Sequence, residues 1–347
     1  RVFLVQVECA GHFARGDHAH RTLGKRVHGF HRSRGIGIPF ETIQACQQLL
    51  PVVEPASGHA VQRQIGTSFA VRTEGAVDRT QKAVLRVTGQ IDKGRCTAVV
   101  RAVHPGDEVI VFEPTYDSYI PSIELAGGKV VPITLNAPDF RIPFDTLAAA
   151  ITPRTRLIML NTPHNPTGTV WHADDMRKLA EILAPTNVLL LSDEVYEHMV
   201  YDGVPHASVA RIPELARRAF VVSSFGKTYH VTGWKVGYVA APAALSAEFR
   251  KVHQFLSFTA HTPSQVALAA YLEQADTYLS LPAFYQEKRD YFLQQLLNLP
   301  FTLHHKTGGS YFQLLGYEQI SDMPDQEFAR WMTKEIGVAV IPVSAFN

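Results

Sequence analysis

Short apolar runs alternate with helical segments along most of the chain from residue 108 onwards. Five of these runs have the length and composition of strands: 108–112, 129–133, 156–161, 188–191 and 219–222. Strands that are apolar on both faces and separated by helices are typical of a parallel sheet. We therefore predict an α/β fold in which helices cover both faces of a mainly parallel sheet. Helical patterns at 245–256, 263–279, 282–297 and 326–336, with strands at 309–315 and 338–343, predict a smaller α+β domain at the C-terminal end.

Polar motifs follow three of the apolar runs. They are TPHNPTG at 162–168, SDEVY at 192–196 and SSFGKTYHVTGWKVGY at 223–238. In parallel sheets, ligands bind beyond the carboxyl ends of the strands. We expect these three motifs to meet at one edge of the sheet and to form a single site.

Two lysines, Lys227 and Lys235, lie in a segment rich in hydroxyl groups and glycine. An amine held at the end of a buried strand can attack a carbonyl, and a second cation beside hydroxyl groups suits a phosphate. Most lysines are solvated surface residues, and for either of these two taken alone that interpretation is favoured.

The segment from Ser224 to Tyr238 resembles the cofactor-lysine segment of a known family. Its Ser-x-x-Lys followed by Thr-Gly-Trp-Lys-Val-Gly-Tyr is similar to fold-type I (class I/II) aminotransferases, which use pyridoxal phosphate. Within them, the chain most resembles the branch of methionine and kynurenine–glutamine aminotransferases. The likeness covers about 98–347. It implies a large domain that binds pyridoxal phosphate at 98–260, and a helical connection with an incomplete small α+β domain at 261–347.

The resemblance also implies roles for eight residues. Lys227 matches the lysine that forms the Schiff base and shuttles the proton, and Asp193 matches the carboxylate that pairs with the pyridine nitrogen. Asn165 and Tyr196 match the residues that bind the 3-oxygen of the cofactor, and Ser224 and Lys235 match its phosphate ligands. Tyr116 matches the aromatic residue that stacks on the pyridine ring and, with Asn165, lines the substrate pocket. Phe258 matches a residue that lines the pocket of the partner subunit.

Each of these residues also has a purely structural interpretation. Asp193 could be a helix N-cap, because Asp is favoured there. Asn165 could start a turn, because Asn-Pro does so without any ligand. Tyr116 and Phe258 could be core aromatics. The functional interpretation is favoured over the structural one because the motifs occur in the family's order and each of them follows a predicted strand.

The resemblance implies transamination between an amino acid and a 2-oxo acid, with methionine, glutamine or aromatic donors, in a homodimer. A cytoplasmic location is expected because the three cysteines indicate no disulfide framework and the N-terminus lacks the pattern of a secretory signal. A carbon–sulfur β-lyase on the same scaffold is the first alternative. The second is a catalytically defective product without the phosphate turn and the carboxylate-binding Arg of the family. Metal and nucleic-acid sites are not expected, since three cysteines in no ligand spacing and scattered basic residues indicate neither. No apolar run approaches the length of a membrane span.

Residues 1–97 differ from the rest of the chain. Residues 1–96 contain 14 Lys+Arg and 7 Asp+Glu, whereas the remainder contains 19 and 25. One segment, 41–53, has a helical pattern, and none of the N-terminal motifs of the family is recognisable. The hypothesis is that 1–97 is an out-of-frame translation, which translation of the upstream DNA in the other two frames tests. The chain stops at 347, before the strand on which the family carries its carboxylate-binding Arg.

Overall fold

The computed structural model describes residues 2–6, 86–88, 98–99 and 101–346. The strands in this part of the chain are β1 Val2–Gln6, β2 Arg86–Thr88, β3 Glu108–Glu113, β4 Lys129–Thr134, β5 Thr155–Asn161, β6 Leu189–Asp193, β7 Ala219–Ser224, β8 Gly237–Ala240, β9 Phe312–Gly316 and β10 Ile341–Pro342. Seven of them form one sheet in the order β2-β8-β7-β6-β5-β3-β4, and three form a second sheet in the order β10-β1-β9.

The helices surround these sheets. They are α1 Tyr119–Leu125, α2 Phe144–Ala150, α3 Ala173–Leu183, α4 Pro213–Ala216, α5 Phe225–Thr228, α6 Ala243–Leu256, α7 Thr262–Leu272, α8 Asp276–Leu279, α9 Leu281–Leu296 and α10 Asp325–Trp331. Short 3₁₀ turns lie at Val209–Arg211, Thr232–Trp234 and Val343–Phe346, and a π-helical turn at Met332–Ile336.

The central strands β4, β3, β5, β6 and β7 of the large sheet run parallel. Alternate residues of β3 enter two different cores. Ile110 packs in the core that includes Leu179 of α3, whereas Val109 packs in the core that includes Ile123 of α1. Successive side chains of a strand point to opposite faces, so both faces are covered by helices. The predicted α/β architecture is confirmed.

The antiparallel strands lie at one edge of this sheet. β8 pairs antiparallel with both β7 and β2, because the chain turns back through residues 225–236 after β7. We predicted a loop directly after residue 222. Instead, β7 continues to Ser224, and Lys227 lies on the one-turn helix α5. The backbone amide of Phe225 donates to the carbonyl of Val236, which closes this segment over the end of the strand.

The second sheet joins the two ends of the described chain. β1 lies between β9 and β10 and pairs antiparallel with both, with Phe3 opposite Leu315 and Pro342. Phe3, Tyr317 and Phe328 form the centre of its core. The predicted strands 309–315 and 338–343 are shorter than expected, because Gly309 binds the carbonyl of Gly168 before β9 begins and Val343 starts a 3₁₀ turn after β10.

The predicted helices of the C-terminal part need two smaller corrections. The segment 263–279 is two helices, α7 and α8, with a break at which Thr277 Oγ1 donates to the carbonyl of Gln274. A side-chain hydroxyl that donates to a nearby backbone carbonyl competes with the backbone amide that would bind this carbonyl in a helix. The segment 326–336 becomes a π-helical turn after Trp331.

The described residues all belong to one compact unit, which comprises Arg1–Glu8 and Ala70–Asn347. The predicted helix at 41–53 lies outside the described residues. The proposed domain boundaries at 97/98 and 260/261, and the out-of-frame hypothesis, stay predictions. In the part of the chain that the structure describes, no helix is long and apolar enough to cross a membrane.

Candidate active site

A cavity of about 360 Å³ opens where the parallel strands β5, β6 and β7 end. Seven of the eight predicted site residues line it: Tyr116, Asn165, Asp193, Tyr196, Ser224, Lys227 and Lys235. They come from five separate segments of the chain. The topology therefore brings the three polar motifs together, as expected from their positions after strands.

Lys227 reaches the cavity from α5. Its Nζ lies 5.4 Å from the centroid of the Tyr311 ring, which is within the range of a cation–π interaction. The preceding residue must be small, because a Cβ on Gly226 would approach the Cα of Thr232 to 3.0 Å. The close packing of these two segments holds α5, and hence Lys227, against the loop that carries Lys235.

Asp193 is the last residue of β6 and its side chain is buried. The Tyr119 hydroxyl donates to its Oδ2 over 2.7 Å, and the backbone amide of Val195 donates to its Oδ1 over 3.2 Å. The Asn161 amide donates to the Asp193 carbonyl over 2.8 Å. Residues 195–198 form a turn rather than a helix, so Asp193 is not a helix N-cap.

Asn165 and Tyr196 lie on the turns after β5 and β6. The backbone amide of Asn165 donates to Asn161 Oδ1 over 2.6 Å, which fixes the turn. Its own side-chain Oδ1 is buried and has no hydrogen-bond partner among the described residues. Tyr196 is buried and packs edge-on against Tyr311, with ring centroids 5.4 Å apart.

Ser224 and Lys235 mark the other end of the cavity. Ser224 is the buried last residue of β7, and Lys235 is exposed, with a left-handed backbone at φ 55° after the 3₁₀ turn Thr232–Trp234. A hydroxyl and an ammonium group are groups that bind phosphate oxygens. Of this pair, Lys235 lies at the solvent side of the cavity and Ser224 lies inside it.

Buried polar residues support the turn after β6 from behind. Glu194 accepts from Ser192 Oγ at 2.7 Å and lies 2.9 Å from His206 Nε2. Burial lowers the pKa of His206, but the hydrogen bond and the charge of Glu194 outweigh it and leave that pKa raised. Glu197 accepts from Tyr238, whose pKa is raised well above its usual value by burial and by that carboxylate.

Residues 48–347 match the family model of aminotransferases of class I and II. The chain is a class I/II aminotransferase. It is 48% identical to the methionine aminotransferase of Escherichia coli K12 over 263 residues, which is 76% of this chain and 68% of that protein. The match begins at residue 48, so the resemblance extends further towards the N-terminus than the motifs from residue 98 onwards indicated.

Solved structures agree with this assignment. The E. coli structure, described as that of a methionine aminotransferase, has a TM-score of 0.74 at 47% identity over 76% of this chain and 70% of its own. The N-succinyldiaminopimelate aminotransferase of Mycobacterium tuberculosis has a TM-score of 0.76 at 32% identity over 89% of this chain and 82% of its own. The enzyme therefore transfers an amino group between an amino acid and a 2-oxo acid, as predicted. These relatives are aminotransferases, which favours transamination over the β-lyase alternative.

The aminotransferase family depends on pyridoxal phosphate, and the cavity fits that cofactor. The buried Asn165 Oδ1 has no hydrogen-bond partner among the described residues, so the side-chain amide of Asn165, which also carries an NH₂ donor, can turn to suit a ligand in the cavity. A carboxylate, an amine and a hydroxyl with an ammonium group lie around the same space. These are the groups needed for a ring nitrogen, an aldehyde and a phosphate, respectively.

The sequence analysis missed several residues of this aminotransferase site. Tyr119, Asn161 and Tyr311 each contact a predicted residue. Tyr119 follows Tyr116 by three residues and is the first residue of α1, and that spacing was the available signal. Phe312, Ile341 and Phe346 complete the apolar wall, and no local pattern marks them.

Phe258 is the predicted residue that the structure does not bring to the cavity of its own chain. Its side chain is 84% exposed, and its backbone is left-handed at φ 60°. The core interpretation of Phe258 is wrong, because a core aromatic is buried. Its role in the pocket of a partner subunit stays a prediction.

Proposed function

We propose that this aminotransferase binds pyridoxal phosphate in the cavity through Asn165, Asp193, Tyr196, Ser224, Lys227, Lys235 and Tyr116, and that it uses methionine as amino donor. The observation that carries the proposal is the convergence of these seven side chains on one cavity. The resemblance to the family implies a cofactor role for each of them from sequence alone. Residues that are solvated on the surface would not line a common cavity.

When bound, pyridoxal phosphate supplies an electron sink for the bonds at the substrate Cα. Lys227 Nζ would hold the cofactor aldehyde, and its amine would accept the proton from the substrate Cα and return it to the cofactor carbon. Asp193 would accept a hydrogen bond from the ring N–H. Asn165 and Tyr196 would donate to the 3-oxygen, and the Tyr116 ring would orient the cofactor by stacking.

The phosphate is held by Ser224 and Lys235. The exposed position of Lys235 lets its ammonium group remain hydrated on one side while it contacts the phosphate oxygens on the other. A charge-assisted contact of this kind contributes about 1.5–3 kcal/mol to binding. The phosphate would thereby fix one end of the cofactor, and Asp193 the other.

Two arguments support methionine as the donor. The wall beside Lys227 consists of Tyr311, Phe312, Ile341 and Phe346, which are apolar or aromatic. A thioether side chain is flexible and packs well against aromatic rings. The 48% identity to a methionine aminotransferase points to the same substrate. Glutamine and aromatic amino acids are the donors to compare with it.

The partner we propose is a second copy of the chain. Phe255, Phe258 and Val266 are large, apolar and more than half exposed, and they lie on or between α6 and α7. Exposed apolar residues that are close in the chain are typical of an interface. Light scattering during gel filtration tests the homodimer, and a monomeric mass at micromolar concentration would contradict it.

Reduction of the loaded protein tests the cofactor site. The protein is incubated with pyridoxal phosphate, reduced with borohydride and digested, and the peptides are analysed by mass spectrometry. We expect a pyridoxyl group on Lys227 and no such group in Lys227→Ala, with Lys251 as an internal control because it is an exposed lysine outside the cavity. Labelling spread over many lysines would contradict the proposal. Donor specificity is then measured as kcat/KM for methionine, glutamine and phenylalanine.

A further inference from the structure

Both oxygens of the Asp193 carboxylate accept hydrogen bonds from neighbouring elements. The donor to Oδ1 is the amide of Val195, at 3.2 Å, in the turn that follows directly. The donor to Oδ2 is the hydroxyl of Tyr119, at 2.7 Å, which is 74 residues away in the chain. Tyr119 therefore connects the start of α1 to the end of β6 through this carboxylate.

The Tyr119 ring is buried, with 3% of its surface exposed, and it contacts the Tyr116 ring edge-on at 5.6 Å. Phenylalanine would make the same ring contacts without bringing a polar group into the core. A buried hydroxyl requires a hydrogen-bond partner, so its presence is explained by what it binds. Here that partner is the Asp193 side chain.

We propose that Tyr119 is a positioning residue, whose hydroxyl holds the Asp193 carboxylate in the orientation in which it meets the ring nitrogen of the cofactor. The inference rests on the proposed function, because it needs Asp193 as the partner of that nitrogen. A carboxylate offers about four acceptor sites, so Tyr119, Val195 and a ring N–H are accommodated together.

Tyr119→Phe removes this hydroxyl and keeps the ring against Tyr116. Among the contacts described, the Asp193 side chain then keeps the amide of Val195 at Oδ1 and loses its donor at Oδ2. The carboxylate can turn about its Cβ–Cγ bond, and binding the ring nitrogen requires that freedom to be lost again. We expect the dissociation constant for pyridoxal phosphate to rise about tenfold, the size of one hydrogen bond to a charged group.

The test compares two cofactors on three proteins. The cofactors are pyridoxal phosphate and the analogue in which a carbon replaces the ring nitrogen. The proteins are the wild type, Tyr119→Phe and Tyr317→Phe. Tyr317 is a matched control because it is buried and donates to the Met323 carbonyl over 2.8 Å in the core of the second sheet, outside the cavity. Dissociation constants are measured by tryptophan fluorescence of the apoprotein during titration.

The expected result is a tenfold weaker affinity of Tyr119→Phe for pyridoxal phosphate and an unchanged affinity for the analogue. Tyr317→Phe should match the wild type with both cofactors. An equal loss with both cofactors would show a general packing defect and overturn the proposal, as would no loss with either. Failure of the wild type to bind pyridoxal phosphate would instead overturn the proposed function, and the role of Tyr119 with it.

Discussion

Protonation of His164 should destabilise the folded protein in acid. His164 lies beside Asn165 in the turn after β5, is buried, and has its Nδ1 2.8 Å from Thr167 Oγ1. Burial lowers the pKa of His164 from 6.5 to about 4. In the folded protein the imidazole of His164 therefore stays neutral, whereas in the unfolded chain it takes up a proton below pH 6.5.

The sign and the size of the effect follow from linkage. Between pH 6.5 and 4 the unfolded state binds more protons than the folded state, so the free energy of unfolding falls as the pH falls through this window. A pKa lowered from 6.5 to about 4 corresponds to about 3 kcal/mol, at 1.36 kcal/mol for each pH unit. That contribution is fully present above pH 6.5.

The measurement is urea unfolding of the wild type and of His164→Asn at several pH values from 7.5 to 4. Asparagine keeps a polar atom near the Thr167 hydroxyl but does not titrate. We expect the wild type to lose about 3 kcal/mol more than the variant over this range. His104→Gln, at an exposed position, serves as the control and should follow the wild type. Equal pH dependence in the wild type and His164→Asn would refute the reasoning.

Three further changes test other parts of the structure. Gly168→Ala should lower the free energy of unfolding by about 2 kcal/mol more than Gly203→Ala does. Both glycines have φ near +70°, but only a Cβ at position 168 would overlap a threonine side chain. Equal urea midpoints for the two variants would contradict this prediction. Lys235→Gln should weaken binding of pyridoxal phosphate about tenfold and leave binding of unphosphorylated pyridoxal unchanged; a loss with both would remove its phosphate role. Because the pKa of His206 is raised, its stabilising contribution is present below pH 6.5 and lost as the pH rises through its folded pKa. In calorimetry, His206→Gln should therefore lower the stability of the protein more at pH 6 than at pH 9. An equal loss of stability at both pH values would show that the charged pair of His206 with Glu194 does not stabilise the protein.

The parallel part of the fold could be predicted because its signals are local. A buried strand such as β3 is apolar at every central position, and this pattern is visible in six consecutive residues. The exact limits of β9 and β10 could not be predicted in the same way. Gly309 leaves the strand because it binds Gly168, and that contact joins segments far apart in the chain.

The site residues at the ends of the parallel strands could also be predicted, because their signals are local too. Asn165, Asp193 and Lys227 lie at or shortly after the carboxyl ends of strands, so their positions in the sequence determine the edge of the sheet at which they lie. Tyr311 precedes β9 in the second sheet, and its approach to Lys227 depends on how the C-terminal part of the chain packs. A local pattern contains no information about that packing.

Tyr119 shows how a residue of the site can resemble a core residue in sequence. A tyrosine at the start of an amphipathic helix has the spacing of a core aromatic, and its ring is indeed buried. The distinction between the two roles lies in the hydroxyl, because a ring that only fills space has no need of one. The hydroxyl meets an acidic side chain at the end of a parallel strand, where a ligand is expected to bind. A buried tyrosine three residues from a predicted ligand-binding aromatic should therefore be examined for a carboxylate partner before it is assigned to the core.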